Sequence, residues 1–287
     1  MSAVFVTGAT GTVGSAVVEH LLARGQSVIA AIRNPVDVAR VPSAADTRVF
    51  SFHSGPDELE AALDGVDRLF LLRPPAIADV QGTLFPLIDA ARRRGIRQIT
   101  FLSLQGVQTN RKTPHHAVEA YLRSTSAPYT FLRPNFFMQN LSSTYAQPIR
   151  ERGELFVPAG RSHTAFIDAR DVGSVAAVTL SQPGHLGKAY TLSGEQSLTY
   201  RQVARVLTDV LGRRIRYDRP SEEAYLAALA AAGKPEDYLA VQKMIHRIVR
   251  LNVSAVPNRS VRKLTGRPAT TLVEFAGDYR EVWVPTA

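Results

Sequence analysis

The segment Thr7-Gly8-Ala9-Thr10-Gly11-Thr12-Val13-Gly14 restricts the fold more than any other part of the chain. Its G-x-x-G-x-x-G pattern directly follows an apolar run, Ala3–Thr7, that reads as a buried strand. It leads into Thr12–Arg24, where Val13, Val17 and Leu21 share one helical stripe, with Val18 and Leu22 beside it and Gly25 as the stop. In a strand–turn–helix of this kind the first glycine permits the tight turn. The second lets backbone approach a pyrophosphate, and the third lets the helix pack closely on the sheet. The helix start then offers free N–H groups and the positive end of its dipole to an anion. Gly8, Thr10, Gly11, Thr12, Val13 and Gly14 are therefore expected to form a phosphate cradle.

The rest of the first half repeats the alternation. Strands are expected at Ser27–Ile32, Thr47–Phe52, Asp67–Leu72, Gln98–Ser103 and Tyr129–Arg133. Helices are expected at Asp57–Leu63, Val80–Arg94 and Thr113–Ser124, the last opened by Thr113 as N-cap and Pro114 in the first turn. The link Arg33–Asp46 shows no clear helix. Strands separated by helices imply parallel pairing, right-handed crossovers and helices on both faces: a doubly wound α/β sheet with its ligand crevice at the carboxyl ends of the strands.

After Pro134 the elements become shorter and less regular. Phe136–Ile149 reads as helical, and Leu155–Val157, Ala165–Ile167, Ala189–Leu192 and Arg214–Tyr217 read as strands. Helices are expected at Arg170–Leu180, Tyr200–Leu211, Glu222–Ala232, Glu236–Val249 and Leu272–Trp283. We read residues 1–134 as a dinucleotide-binding core. Residues 135–287 read as a smaller substrate-side lobe, with about 165–200 returning to the core.

Composition removes several classes of function. The chain has no cysteine, which excludes disulfides, thiolate-ligated zinc, iron–sulfur clusters and a Cys nucleophile. No metal-ligand pattern of other residues is visible. No apolar run approaches the ~18 residues of a membrane span, the longest candidate being Ala224–Ala232. A strand beginning as early as Ser2 leaves no room for a leader, so a cytoplasmic location is expected. The net charge of +9 asks for an anionic partner, either nucleic acid or a phosphorylated cofactor. The basic residues are dispersed, with Arg92–Arg94 closing a helix and Arg213, Arg214 and Arg216 flanking a strand, so no nucleic acid is expected. A small-molecule partner is expected, with the chain a monomer or homodimer.

The tip of the second strand decides the cofactor. A site built for NAD places an acid there for the ribose 2′-hydroxyl. This chain has Ala31-Ile32-Arg33-Asn34-Pro35, with Arg33 placed to clamp a 2′-phosphate, so NADP(H) is expected.

The segments TGATGTVG, AIRNP, LFLLRPP, ITFLSLQGV, YTFLRPNFFMQN, FIDARDVGSVAAVTL and YTLSGEQSLTYRQVARVLTDVLGR occur in that order, followed by RKLTGRPATTLVEFAGDYREVW. Together they resemble the NmrA-like group of atypical short-chain dehydrogenases/reductases over nearly the whole chain. The resemblance implies a Rossmann fold with a smaller C-terminal substrate-binding lobe. It implies an NADPH-dependent oxidoreductase reducing a small unsaturated, quinonoid or aromatic compound. The group also contains NADP(H)-sensing regulators without catalysis, which is the alternative reading. The resemblance adds Leu72, Arg73, Pro74, Ser103, Leu104, Pro134, Asn135 and Phe136 to the cofactor cleft. Relatives carry an acid near the adenine after the third strand, where this chain has Phe52-His53-Ser54. Phe52 or His53 is the candidate for stacking there.

None of the nine tyrosines has Lys four residues later, so the Tyr-x-x-x-Lys pair of the larger superfamily is missing. Tyr129 with Arg133 comes nearest, but lies in a strand. His116 and Ser103 are the catalytic candidates, with His115 toward the substrate. Glu119 is expected to face solvent or pair with Arg123 at i,i+4. Phe136, Phe137, Met138 and Tyr145 suit a wall for a flat substrate, with about half of them expected to be core instead.

Overall fold

The structure, a computed structural model, describes residues 3–285; Ser2 lies outside them. In chain order the elements are β1 (Ala3–Val6), α1 (Thr12–Leu22), β2 (Val28–Ile32), a 3-10 turn Pro35–Arg40, β3 (Asp46–Val49), α2 (Pro56–Ala61), β4 (Val66–Leu72), α3 (Leu84–Arg93), β5 (Gln98–Leu102), α4 (Pro114–Ser124) and β6 (Tyr129–Pro134). There follow α5 (Gln139–Ser142), α6 (Ala146–Arg152), β7 (His163–Thr164), α7 (Ala169–Ser181), β8 (Lys188–Leu192), β9 (Leu198–Thr199) and α8 (Tyr200–Leu211). Last come α9 (Glu222–Ala231), α10 (Glu236–Arg250), α11 (Ser260–Thr265), α12 (Leu272–Asp278) and a 3-10 turn Arg280–Trp283.

Two compact units result. One takes in the chain to Pro134 together with Ala169–Leu192 and Ser260–Arg267. The other holds Asn135–Asp168, Ser193–Arg259 and the chain from Pro268 onward.

The first unit is a parallel seven-stranded sheet in the order β3-β2-β1-β4-β5-β6-β8. β1, β2 and β5 are buried along their whole length, as continuous apolar strands between two helical layers should be. The chain runs outward from β1 through β2 to β3, then crosses back to β4 on the other side of β1. That reversal opens a crevice at the carboxyl ends of β1 and β4. Thr7 fixes its floor: its hydroxyl donates to the Phe70 carbonyl at 3.0 Å and accepts the Leu72 N–H at 2.8 Å. One core cluster joins Phe5, Leu69, Phe101 and Phe131 to Leu59, Leu84, Leu87, Ile88, Val118 and Leu122 of α2, α3 and α4. α1 and α7 cross so closely that a Cβ on Gly173 would stand 2.6 Å from that of Ala16.

The second unit packs Leu141, Ile149, Leu155, Val157, Tyr200, Val203, Leu207 and Phe275 around Trp283, whose Nε1–H donates to the Leu141 carbonyl at 2.8 Å. Here the sequence expectations need correction. Phe136–Ile149 is not one helix: α5 ends before Ser143, and α6 begins only at Ala146. The ring of Pro148 would clash with the carbonyl four residues back in a helix running through it. Leu155–Val157, Ala165–Ile167 and Arg214–Tyr217 are not regular strands. The last two contribute one isolated parallel bridge each, Ile167 with Phe137 and Arg216 with Glu154, while β7 and β9 form the short antiparallel pair. Leu155, Val157, Ala165 and Ile167 are nonetheless buried, so their apolar character recorded burial and not pairing. The last helix stops at Asp278 and tightens into the 3-10 turn that seats Trp283.

Candidate functional site

The loop between β1 and α1 is built by its glycines. Gly8 has φ +64°, and a Cβ there would press on the Leu72 side chain at 3.1 Å. Gly11 donates its N–H to the Gly8 carbonyl at 2.9 Å. A Cβ on Gly14 would fall 2.1 Å from that same carbonyl oxygen. α1 starts from Gly11 with no side-chain cap and no acid in its first turn. Its first-turn N–H groups have no preceding turn to bond, and among the described residues neither a side-chain cap nor a first-turn acid satisfies them. A phosphate placed there would satisfy them, on a loop whose turn requires glycine at positions 8 and 14.

Two arginines stand near this loop. Arg33, just beyond the tip of β2, is exposed and forms no ion pair among the described residues. The sequence reading missed Arg40, whose Nη2 donates to the Thr10 carbonyl at 2.8 Å while Nη1 holds Asp37 at 3.3 Å. Its signal was present: Asn34 and Asp37 stand three apart and form a capping box, which sets the 3-10 turn that delivers Arg40.

At the tip of β4, Leu72, Arg73 and Pro74 are half-buried. Nη1 of Arg73 curls onto the carbonyls of Pro74, Pro75 and Ile77 in its own loop, so Arg73 organises that loop. Burial draws its pKa down. Phe52 is core, edge-on to Phe50 at 4.9 Å, which leaves the exposed His53 as the candidate for adenine.

Beyond β5, Ser103 is 4% exposed, and its hydroxyl donates to Oε1 of Glu119 at 2.7 Å. Contrary to one of the two sequence expectations, Glu119 does not face solvent; it is 1% exposed. The i,i+4 pair with Arg123 does form, at 3.0 Å. The dominant partner is Arg133, which grips both oxygens, Nε on Oε1 at 2.8 Å and Nη2 on Oε2 at 2.6 Å. Burial raises the Glu119 pKa, but the hydrogen bonds from Arg133 and Ser103 and the charges of Arg133 and Arg123 outweigh it and hold the carboxyl below its usual range.

α4 opens as predicted, with the Thr113 hydroxyl accepting the His116 N–H at 3.2 Å. The His116 ring places Nδ1 3.1 Å from the Val107 carbonyl. A carbonyl only accepts, so Nδ1 carries a proton and Nε2 is the working nitrogen. Burial and the positive charge of Arg73 push the His115 pKa down to about 4, leaving it neutral. Burial is the largest cause, and the nearby Glu119 charge only partly opposes it.

In the second unit, Asn135 is spent on backbone. Its amide donates to the Ser254 carbonyl at 2.9 Å, and its side-chain oxygen accepts the Phe136 N–H at 2.8 Å. Phe136 and Phe137 keep partial exposure. Met138 and Tyr145 do not; both are core, and the Tyr145 hydroxyl lies 3.3 Å from Nε2 of His246. Of the four candidates, Met138 and Tyr145 are thus core and Phe136 and Phe137 stay partly open, the even division that was expected. Leu104 and Pro134 sit at the strand tips, where the Pro134 carbonyl accepts the Gln105 N–H at 3.0 Å. Among the described residues no three His, Asp or Glu side chains cluster so as to hold a metal ion. No helix among them is long and apolar enough to cross a membrane.

A parallel sheet reversing at β1, with an uncapped helix start behind a glycine turn, defines a dinucleotide-binding domain of the Rossmann type. The chain belongs to the NmrA-like family, which it matches over residues 1–275. It is 33% identical over 279 residues to an NAD(P)H azoreductase of Xenophilus azovorans, covering 95% of this chain and 96% of that protein. An NADPH-dependent quinone oxidoreductase of Escherichia coli, solved with NADPH, superimposes with TM-score 0.86 at 27% identity, covering 96% of this chain and 99% of that one. The Citrobacter sp. triphenylmethane reductase in complex with NADP(H) also gives 0.86, at 25% identity, over 96% of this chain and all of the other.

Proposed function

We propose that this chain is an NADPH-dependent oxidoreductase that reduces small quinonoid, azo or triarylmethane-type aromatic compounds. The observation that carries this reading is the uncapped start of α1 behind the Gly8 turn, with Arg33 in place of an acid beyond β2. The glycine turn and helix amides take the pyrophosphate, and Arg33 takes the 2′-phosphate. Relatives are named an azoreductase, a quinone oxidoreductase and a triphenylmethane reductase, which supports a conjugated aromatic substrate class.

When bound, the nicotinamide supplies the hydride. The chain's own part is binding, orientation and the proton. Phe136 and Phe137, the aromatic side chains left partly open after β6, are assigned to an aromatic substrate. His116 is assigned the proton, delivered from Nε2 of its imidazolium form, which becomes the neutral ring that keeps its Nδ1 proton on the Val107 carbonyl and is recharged from solvent. Ser103 is not assigned that role, because Glu119 already holds its proton.

The test is consumption of NADPH and of NADH with a simple benzoquinone, an azo dye and a cationic triarylmethane dye as acceptors. Reduction of at least one acceptor with preference for NADPH is expected. Tight NADPH binding with no acceptor reduced would replace the enzyme by an NADP(H)-sensing regulator.

A further inference from the structure

Four donors converge on the Glu119 carboxylate. Oε1 receives the Ser103 hydroxyl and Nε of Arg133; Oε2 receives Nη2 of Arg133 and Nη2 of Arg123. Glu119 and Arg133 are both buried, so the pair is held in a low-dielectric setting where bidentate, charge-assisted bonds are strong. Arg123 closes the cluster from the solvent side, lying over the Phe131 ring at 4.8 Å. The cluster ties three elements at the carboxyl end of the sheet: the tip of β5 through Ser103, the tip of β6 through Arg133, and α4 through Glu119.

The direction of the hydrogen bond at Ser103 matters more than its strength. A serine hydroxyl has one proton and two lone pairs. An ionised carboxylate can only accept, and every side of this one is filled by a donor. The Ser103 proton is therefore committed to Glu119, and for any further partner the hydroxyl has only acceptor capacity left.

We infer that Glu119 is a positioning residue that fixes Ser103 as an acceptor for a primary amide N–H of the bound ligand, the carboxamide of the nicotinamide ring. Ser103 thus recognises the cofactor and does not protonate the substrate. This inference rests on the proposed use of NADPH. It explains why a carboxylate with two arginines is buried behind a hydroxyl at a strand tip, where a neutral residue would serve packing alone.

The test compares binding of NADP⁺ with that of its 3-acetylpyridine analogue, in which the carboxamide is replaced by a group without an N–H. Affinities are measured by titration calorimetry on the wild type, Ser103→Ala, Ser103→Thr and Glu119→Gln. The wild type is expected to prefer NADP⁺ by roughly three- to ten-fold, the value of one hydrogen bond. The preference should vanish in Ser103→Ala, return in Ser103→Thr, and shrink in Glu119→Gln, where the held proton is no longer drawn to a full charge. Because each ratio is taken within one variant, a general loss of stability does not move it. Should Glu119→Gln fail to fold, Ser103→Ala against Ser103→Thr still decides. An unchanged ratio in Ser103→Ala would overturn the inference while leaving NADPH use intact. A wild type that binds neither nucleotide would overturn the proposed function itself, and the inference with it.

Discussion

The guanidinium of Arg40 donates to the carbonyl of Thr10 at 2.8 Å, so one cation braces the phosphate loop while another, Arg33, stands exposed beyond β2. The two have different tasks, and substitution separates them. Arg33→Ala removes a charge-assisted partner of the 2′-phosphate, worth about 1.5–3 kcal/mol, and should weaken NADPH roughly 10- to 100-fold while leaving NADH nearly unchanged. Arg40→Ala removes support from the loop that both cofactors share. It should weaken NADPH and NADH alike, by roughly two- to ten-fold. Fluorescence titration with both nucleotides checks this; equal losses from Arg33→Ala would show that Arg33 does not read the phosphate.

Gly14 is where backbone meets backbone. A methyl at this position would overlap the Gly8 carbonyl oxygen at 2.1 Å and its carbon at 2.6 Å, neither of which can rotate away. Gly14→Ala should cost about 3 kcal/mol and lower Tm by roughly 5 °C, with loss of nucleotide binding. Gly277→Ala is the control. It lies exposed in α12 with nothing within 4 Å of an added Cβ, and should leave Tm unchanged or raise it slightly. Calorimetric melts of the two variants beside the wild type give the comparison.

Most of the first unit could be read from sequence because its central strands β1 and β2 are continuous apolar runs and its other strands carry apolar stretches between recognisable helices. Its core is therefore encoded locally. The phosphate loop was legible for the same reason, since three glycines at fixed spacing have local steric causes. Glu119 was not. Its partner Arg133 lies 14 residues away on a strand, and only parallel pairing of β5 with β6 brings Ser103, Arg133 and α4 together. A helical Glu with Arg at i+4 looks solvent-exposed until tertiary contacts bury it. Met138 and Tyr145 misled in the opposite sense, because an apolar residue after a strand tip looks the same whether it faces ligand or core. The excess charge was partly legible. Arg92, Arg93 and Arg94 close α3 and also pair with Asp89, Glu60 and Asp64.

The depressed pKa of His115 makes stability depend on pH in one direction. The folded ring stays neutral down to about 4, whereas the unfolded ring takes up a proton near 6.5. Between those values the unfolded state binds more protons, so stability falls as the pH drops from about 6.5 toward 4. His115→Asn removes this contribution. Urea midpoints at pH 7.5 and 5.0 should therefore differ less in the variant than in the wild type. Some slope will remain, because burial also lowers the pKa values of His20, His185 and His246. A variant with the same slope as the wild type would show that the His115 ring is hydrated and free to charge.

The assignment of the proton to His116 separates two kinds of acceptor. A quinone that receives a hydride becomes a hydroquinone anion and needs a proton to complete the reaction. A cationic triarylmethane dye that receives a hydride becomes the neutral leuco compound and needs none. With Nδ1 anchored on Val107, Nε2 is the only ring position from which His116 can deliver a proton. His116→Gln should therefore lower kcat for the quinone by about 100-fold, the usual scale of general acid catalysis, and leave kcat for the cationic dye within about two-fold. The affinity for NADPH should not change, since the substitution touches neither the glycine turn nor Arg33. Equal losses on both acceptors would mean that His116 orients substrate or α4 without handing over a proton, and the proton would then come from water.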